Sequence, residues 1–275
     1  MKKVIAILLA LCLCLSCAAC GGGSSYRVKT VITLQEQEYS LAFRTGDPTA
    51  DYVIAAIETL SAEGKVDELS VKWFGDRIIQ FKSDSAALDK VRDNGYGELQ
   101  EIPGRDLIVG IDINSFPMAY VSGSEYWGYD VEMAIAVCER LGWNLKMQPI
   151  EKENVYIELS SGNIDVAWGG VAIDPKEAAG GSFTVYGPYI HNDIVVATRN
   201  GSAVWNKLRL NGRKMCMPST PEARNALETD SRLVKRLGQI TRLAGGTMEC
   251  FEYLYAGKCD VVLTDSTALD YFNCH

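Results

Sequence analysis

LIVGID (residues 107–112) and, shortly after it, DVEMAIAVCERL (130–141) decide the fold. The first run is apolar throughout, as a strand buried on both faces of a sheet must be. The second places Val131, Ile135, Cys138 and Leu141 at helical spacing, and Gly142 follows where a left-handed C-cap is needed. A buried strand feeding an amphipathic helix is the unit of an α/β fold with largely parallel sheets.

Downstream the unit recurs. A strand is expected over 144–150, a short helix over 154–161, the strand IDVAWGG over 164–170 and the apolar strand IVVATR over 194–199. RKMCMP (213–218) leads into a helix beginning at about Pro221, whose missing N–H costs nothing in a first turn. CDVVLT (259–264) leads into STALDYF (266–272), with Asp265 or Ser266 as N-cap. Upstream, VKTVITL (28–34) and EYSLAFRTG (38–46) read as strands. A helix over about 48–63 puts Val53, Ile54, Ile57 and Leu60 on one face, and VDELSVKWFG (66–75) gives a second. Residues 76–105 are polar, with a weak helical signal at 86–91, and read as a linker.

The chain opens with two lysines, an apolar run over 4–15, small residues and Cys20 before GGGSS. The run is too short to span a membrane and matches a secretion signal. Ala18, Ala19 and Cys20 fit a lipobox, in which Cys20 carries a diacylglyceryl group, so a signal over 1–19 and a Gly/Ser tether over 20–25 are expected. Cys17 and Cys20 also spell C-x-x-C, a redox or zinc spacing. Beyond the lipidated Cys20, removing the signal leaves five cysteines, Cys138, Cys216, Cys250, Cys259 and Cys274. An odd number in apolar surroundings reads as buried small hydrophobes rather than a disulfide framework. Loss of Lys2 and Lys3 takes the formal charge from −8 to about −10, which offers nothing to nucleic acid. The 47% hydrophobic content is that of a well-buried globular core.

From residue 106 onward, DLIVGID, WGYDVEMAIAVCERLGW, ELSSGNIDVAWGGVAI, GPYIHNDIVVATRNGS, LNGRKMCMPSTPEA and YAGKCDVVLTDSTALDYF occur in the order found in type II periplasmic binding proteins. The chain resembles the members that serve polar amino-acid ABC importers. The segment 36–75, EQEYSLAFRTGDPTADYVIAAIETLSAEGKVDELSVKWFG, is similar to that family's C-terminus placed ahead of its N-terminus. Nothing is duplicated, so a circular permutation is expected over two truncated copies, with 76–105 joining the ancestral ends. The resemblance implies two α/β lobes that close on a solute by hinge motion, around IVVATR and SLAFR. Lobe 1 is expected over 42–197 and lobe 2 over 26–41 plus 198–275. The implied partners are a small-molecule ligand, an ABC permease and ATPase, and the membrane through the lipid anchor, with the protein itself a monomer.

The resemblance also implies site residues. Asp265 matches the position that takes a ligand ammonium; its other reading is a helix N-cap. Ser219 and Thr220 match the turn that offers N–H groups to an anion; their other reading is ordinary capping. The family's carboxylate-binding arginine is missing: AIDPKEAAGG (172–181) brings Glu177 to its place, and Ala172 replaces the hydroxyl residue before it. The aromatic sandwich falls at Ser115 and Lys152, while Asp112 and Gly170 belong to the same cleft-facing set. Trp168 is the leading candidate for a compensating aromatic wall, ahead of Phe116, Tyr120, Trp127 and Tyr129, each of which otherwise reads as core. Lys152 offers an alternative positive partner, or is a solvated surface lysine.

An enzyme has less to work with. His191 and His275 are the histidines, no HExxH or G-x-S-x-G occurs, and no cofactor or metal is expected. An envelope sensor with the same clamshell and no transport partner is the alternative to import.

Overall fold

The computed structural model describes residues 27–81, 89, 104–173 and 180–275. The signal, Cys20, the tether, most of the linker and Glu177 lie outside the described residues.

In chain order the elements are β1 (Val28–Gln35), β2 (Glu38–Arg44), α1 (Thr49–Ala62), α2 (Lys65–Phe74), β3 (Asp106–Ile111), β4 (Asn114–Ser115), β5 (Ala119–Ser122) and β6 (Glu125–Trp127). Next come α3 (Tyr129–Leu141), β7 (Asn144–Pro149), α4 (Val155–Ser161), β8 (Val166–Ala167), β9 (Phe183–His191) and β10 (Ile194–Arg199). The last are β11 (Lys214–Pro218), α5 (Pro221–Glu228), α6 (Ser231–Arg236), β12 (Gln239–Leu243), α7 (Gly246–Tyr255), β13 (Val261–Asp265) and α8 (Ser266–Cys274).

Two five-stranded sheets make two lobes. The first has the order β7-β3-β8-β2-β9 and the second β1-β10-β13-β11-β12. The strand-helix units behave as expected, with β3 parallel to β7 and β8, and β11 parallel to β12 and β13. The sheets are nevertheless mixed. β2 runs antiparallel to β8 and β9, and β10 runs antiparallel to β1 and β13. The chain passes between sheets twice, through residues 36–37 and 192–193, just ahead of the two runs expected to form the hinge. These crossings lie side by side: the Asn192 N–H donates to the Gln37 carbonyl at 2.9 Å.

The face of α3 that packs inward is Val131, Ala134, Cys138 and Leu141, all nearly inaccessible, while Ile135 is 42% exposed. The expected stripe was therefore one residue too wide. Helix α1 buries Val53, Ile54, Ile57 and Leu60 as its spacing requires. The expected linker begins inside the core. Ser70 Oγ accepts the Ile78 N–H at 2.9 Å, and the Phe81 ring stacks on Tyr189 at 5.0 Å. The lobes also meet along an aromatic seam. Phe116, from the first lobe's β4–β5 loop, is buried against Tyr271 and Phe272 of α8, with centroids at 4.8 and 5.6 Å.

Of the five cysteines, Cys216 on β11 and Cys259 just before β13 form a disulfide, their Cα atoms 6.1 Å apart. This corrects the reading of these cysteines as buried small hydrophobes in place of disulfides. The parallel pairing of β11 with β13 sets Cys216 opposite Val262, three residues beyond Cys259, a closeness that spacing alone does not reveal. Cys138 and Cys250 are free and buried, and Cys274 is free and exposed. The crosslink closes a loop with a sequence separation of 43 residues. Replacing both cysteines by serine should cost about 2–4 kcal/mol. Denaturant unfolding under oxidising conditions measures that loss, and the same loss should follow reduction of the unaltered protein.

Candidate functional site

The parallel strands β3, β7, β11, β12 and β13 end toward one place between the lobes, where the loops after strand C-termini of an open α/β sheet meet a ligand. A cavity of about 40 Å³ lies there, room for a few waters. The first lobe lines it with Asp112 after β3 and with Lys152 after β7. The second lobe contributes Thr220 and Glu222 after β11, and Thr264 and Asp265 at the end of β13.

Lys152 joins the two sides. Its Nζ is 2.6 Å from Glu222 Oε2 and 3.3 Å from Asp112 Oδ2, and it sits 5.7 Å from the centroid of the Tyr39 ring. The lysine side chain is 16% exposed, so it is a cleft residue and not a solvated one. Glu222 is also held at the crossing, where Gln37 Nε2 donates to its Oε1 at 2.9 Å. Asp112 is aimed by a local turn in which its Oδ1 accepts the Asn114 N–H at 2.9 Å.

Burial favours the neutral form of Lys152. The oxygens of Tyr39, Glu222, Asp112 and Asp265 outweigh it and hold the ammonium well above the ordinary lysine value. Asp265 moves the other way for a carboxyl. Burial raises it, Glu222 adds to the rise and Lys152 opposes it, leaving it at about 7. Asp265 does occupy the N-cap position of α8, yet its side chain makes no cap hydrogen bond. Its carboxylate is thereby left facing Lys152 and Glu222.

The other expected residues divide. Thr220 lines the cavity, but its Oγ1 is occupied by the Ala223 N–H at 3.2 Å, the capping role. Ser219 is exposed and its N–H is spent on the Leu243 carbonyl. Trp168 is fully buried in the first lobe, its Nε1 donating to Asp130 at 3.2 Å, and so forms core and not wall. Ser115 is 1% exposed beneath the cavity, its Oγ 3.0 Å from the Gly170 carbonyl oxygen and 3.2 Å from Asp112 Oδ2. Gly170 has φ +69°, and a Cβ there would collide with the Ser115 side chain. Its N–H donates to Asp130 at 2.9 Å. Ala172 bridges to Tyr39 and lines a separate open groove with Ser40 and Pro188. Phe116 and Tyr120 belong to the seam, Tyr129 to the core, and Trp127 is 43% exposed.

Glu222, Gln37, Tyr39 and Thr264 are the cleft residues that sequence reasoning missed. Glu222 stands inside the MPSTPEA motif, where an acid in a first helical turn looks like a response to the helix dipole. Its pairing with a lysine 70 residues away leaves no local signal.

The sequence model of the family described as "Bacterial extracellular solute-binding proteins, family 3" matches residues 107–269, more than half of the chain. A probable amino-acid ABC transporter-binding protein of Haemophilus influenzae is 25% identical over 174 residues, 62% of this chain. The chain spans 64% of that relative's length. Among solved structures, a polar amino acid ABC uptake transporter substrate-binding protein from Streptococcus thermophilus is similar with TM-score 0.44 and 22% identity, covering 58% of this chain and 61% of that one. The holo ArgBP of T. maritima is similar with TM-score 0.41 and 21% identity, covering 66% and 74%.

The state of Asp265 has a measurable consequence. Between its ordinary value of 3.8 and about 7, the folded carboxyl keeps a proton that the unfolded chain has released. The folded state then binds more protons, so this residue lowers stability as pH rises through that window. Asp265→Asn should raise the melting temperature by at least about 2 °C at pH 8. The gain should shrink as pH falls through that window and vanish below about pH 3.8, as read by calorimetry from pH 8 downward.

Proposed function

We propose a function from one premise: the chain belongs to the bacterial extracellular solute-binding proteins, family 3. It captures a small polar solute, an amino acid or a related compound, between its lobes and delivers it to an ABC importer as a monomer. The observation that carries this reading is the convergence of charged side chains from both lobes on one cavity, with Lys152 paired to Glu222 across it. A solute separates that pair and takes over its contacts, and its binding energy goes into lobe closure. Asp265 is the ammonium acceptor. In this reading the cleft binds its solute and breaks no bond.

The mature N-terminus in this reading is Cys20, lipidated and tethered by residues 20–25 on the outer face of the cytoplasmic membrane. No helix among the described residues is long and apolar enough to cross a membrane. The reading also includes the permuted order, with the lobe boundaries expected at 42 and 197 moved to the crossings at 36–37 and 192–193, since β2 from Glu38 joins the first sheet and β10 from Ile194 the second. Support comes from the chain's two described extremities. The Val28 N–H donates to Asn273 Oδ1 at 2.9 Å, and Asn273 Nδ2 donates back to the Val28 carbonyl at 3.2 Å. A short linker bridges such a gap.

Two measurements test these proposals. Thermal-shift and titration screening of the protein against amino acids, amines and small organic acids should find a stabilising solute. Asp265→Ala should weaken it by about 10- to 100-fold, the loss of one hydrogen bond to a charged group. No stabilisation by any compound would count against solute capture. In the second, a chain running from residue 104 to 275 and then, through a glycine-serine linker, from 27 to 81 should fold and bind the same solute. Failure of that rearranged chain to fold counts against permutation.

A further inference from the structure

The cleft has an excess of acceptors. Asp112, Glu222 and Asp265 surround the cavity and Glu151 and Glu153 stand exposed at its rim, against Lys152 as the single cation among the described residues that line it. Two further groups, one lining the cavity and one beside it behind Glu222, have no partner. Thr264 lines the cavity, is 4% exposed, and its Oγ1 makes no hydrogen bond. Gln37, which grips Glu222 with its amide nitrogen, is 8% exposed and leaves its carbonyl Oε1 unbonded. Buried polar atoms without partners are rare, and at a ligand site they mark contacts that the ligand completes.

Side-chain donors fit for a carboxylate are few: Lys152 is the one cationic side chain among the described residues that line the cavity. At the turn before α5, Pro221 has no N–H, the Ala223 N–H is given to Thr220, and that of Ser219 to Leu243. Glu222 stands at that helix terminus, so the place where an anion would dock already holds one. No arginine among the described residues lines the cavity. What the cleft does hold is a primary alkylammonium, that of Lys152, set between two carboxylates and near a tyrosine ring. This side chain stands in for the charged group of a solute.

We propose that the cleft binds a small organic cation carrying ammonium groups and no carboxylate, an aliphatic diamine being the simplest case, and that this solute displaces the Lys152 ammonium. The inference rests on the solute-capture reading and names its ligand class. The space of about 40 Å³ admits such a molecule only when the lysine swings away. One ammonium then takes the Asp112–Glu222 position, and another reaches Asp265, Thr264 and the Gln37 carbonyl.

Matched pairs that differ by one carboxylate decide it. Titration calorimetry of the full mature protein with 1,5-diaminopentane against L-lysine, and 1,4-diaminobutane against L-ornithine, should show each diamine at least ten-fold tighter, with L-glutamate silent. Lys152→Ala, which removes the internal competitor, should tighten 1,5-diaminopentane several-fold, and Thr264→Val should weaken it several-fold with an unchanged melting temperature. Amino acids equal to or tighter than their diamines, binding of L-glutamate, or weaker diamine binding in Lys152→Ala overturns the inference and leaves solute capture standing. Silence from every diamine also overturns it, and the wider screen above then decides solute capture separately. The matched pairs use the unaltered protein, so the outcome does not depend on any variant folding.

Discussion

One ammonium in the wrong solvent organises this molecule. Lys152 is held away from water between a first-lobe carboxylate and a second-lobe carboxylate, and both lobes shape themselves around that placement. Desolvating such ions offsets most of their attraction, so the pair adds little net stability, yet removing one partner strands the other. For the proposed solute capture, near balance is what closure requires: a contact specific enough to define the closed geometry and weak enough to yield to a solute of matching charge. The hinge takes part as well. Gln37, in one of the two crossing segments, grips the same Glu222 carboxylate that Lys152 does.

Behind the cleft, a chain of hydrogen bonds runs from the first-lobe core to the charged rim. Asp130 is buried among donors, receiving Tyr189 Oη, Trp168 Nε1 and the Gly170 N–H. Its burial raises the carboxyl to about 7 against the pull of those donors. Gly170 in turn faces Ser115, whose hydroxyl lies between the Gly170 carbonyl and Asp112. Asp112 is therefore positioned by a network anchored two layers deep, which fixes the first-lobe wall of the cavity.

Local order was largely legible in the sequence. The spacing of α1 and α3, the proline opening α5 and the glycine closing α3 each answer to neighbours within a turn or two, and the structure keeps them. Long-range facts were legible only through resemblance. The pattern of parallel units hid antiparallel β2 and β10, because strand direction depends on where the chain crosses between lobes and not on composition. Trp168 illustrates the limit inside the site. A tryptophan at a strand end before two glycines looks like a cleft wall, but the glycine backbone there turns toward Ser115 while the indole points to Asp130. Asp265 was readable because its position in a strand-helix turn is local. Glu222 was not, since its role comes from a partner on the opposite lobe.

The Cys216–Cys259 crosslink joins two parts of the second-lobe sheet and touches neither crossing segment. It is a brace inside one jaw. A disulfide of this kind suits a protein outside the reducing cytoplasm, where oxidation is available. Rigidity and motion are consequently governed by different bonds: the covalent brace resists wear in the envelope without stiffening the joint, and the joint's compliance can change through substitutions at the crossings without loosening either jaw.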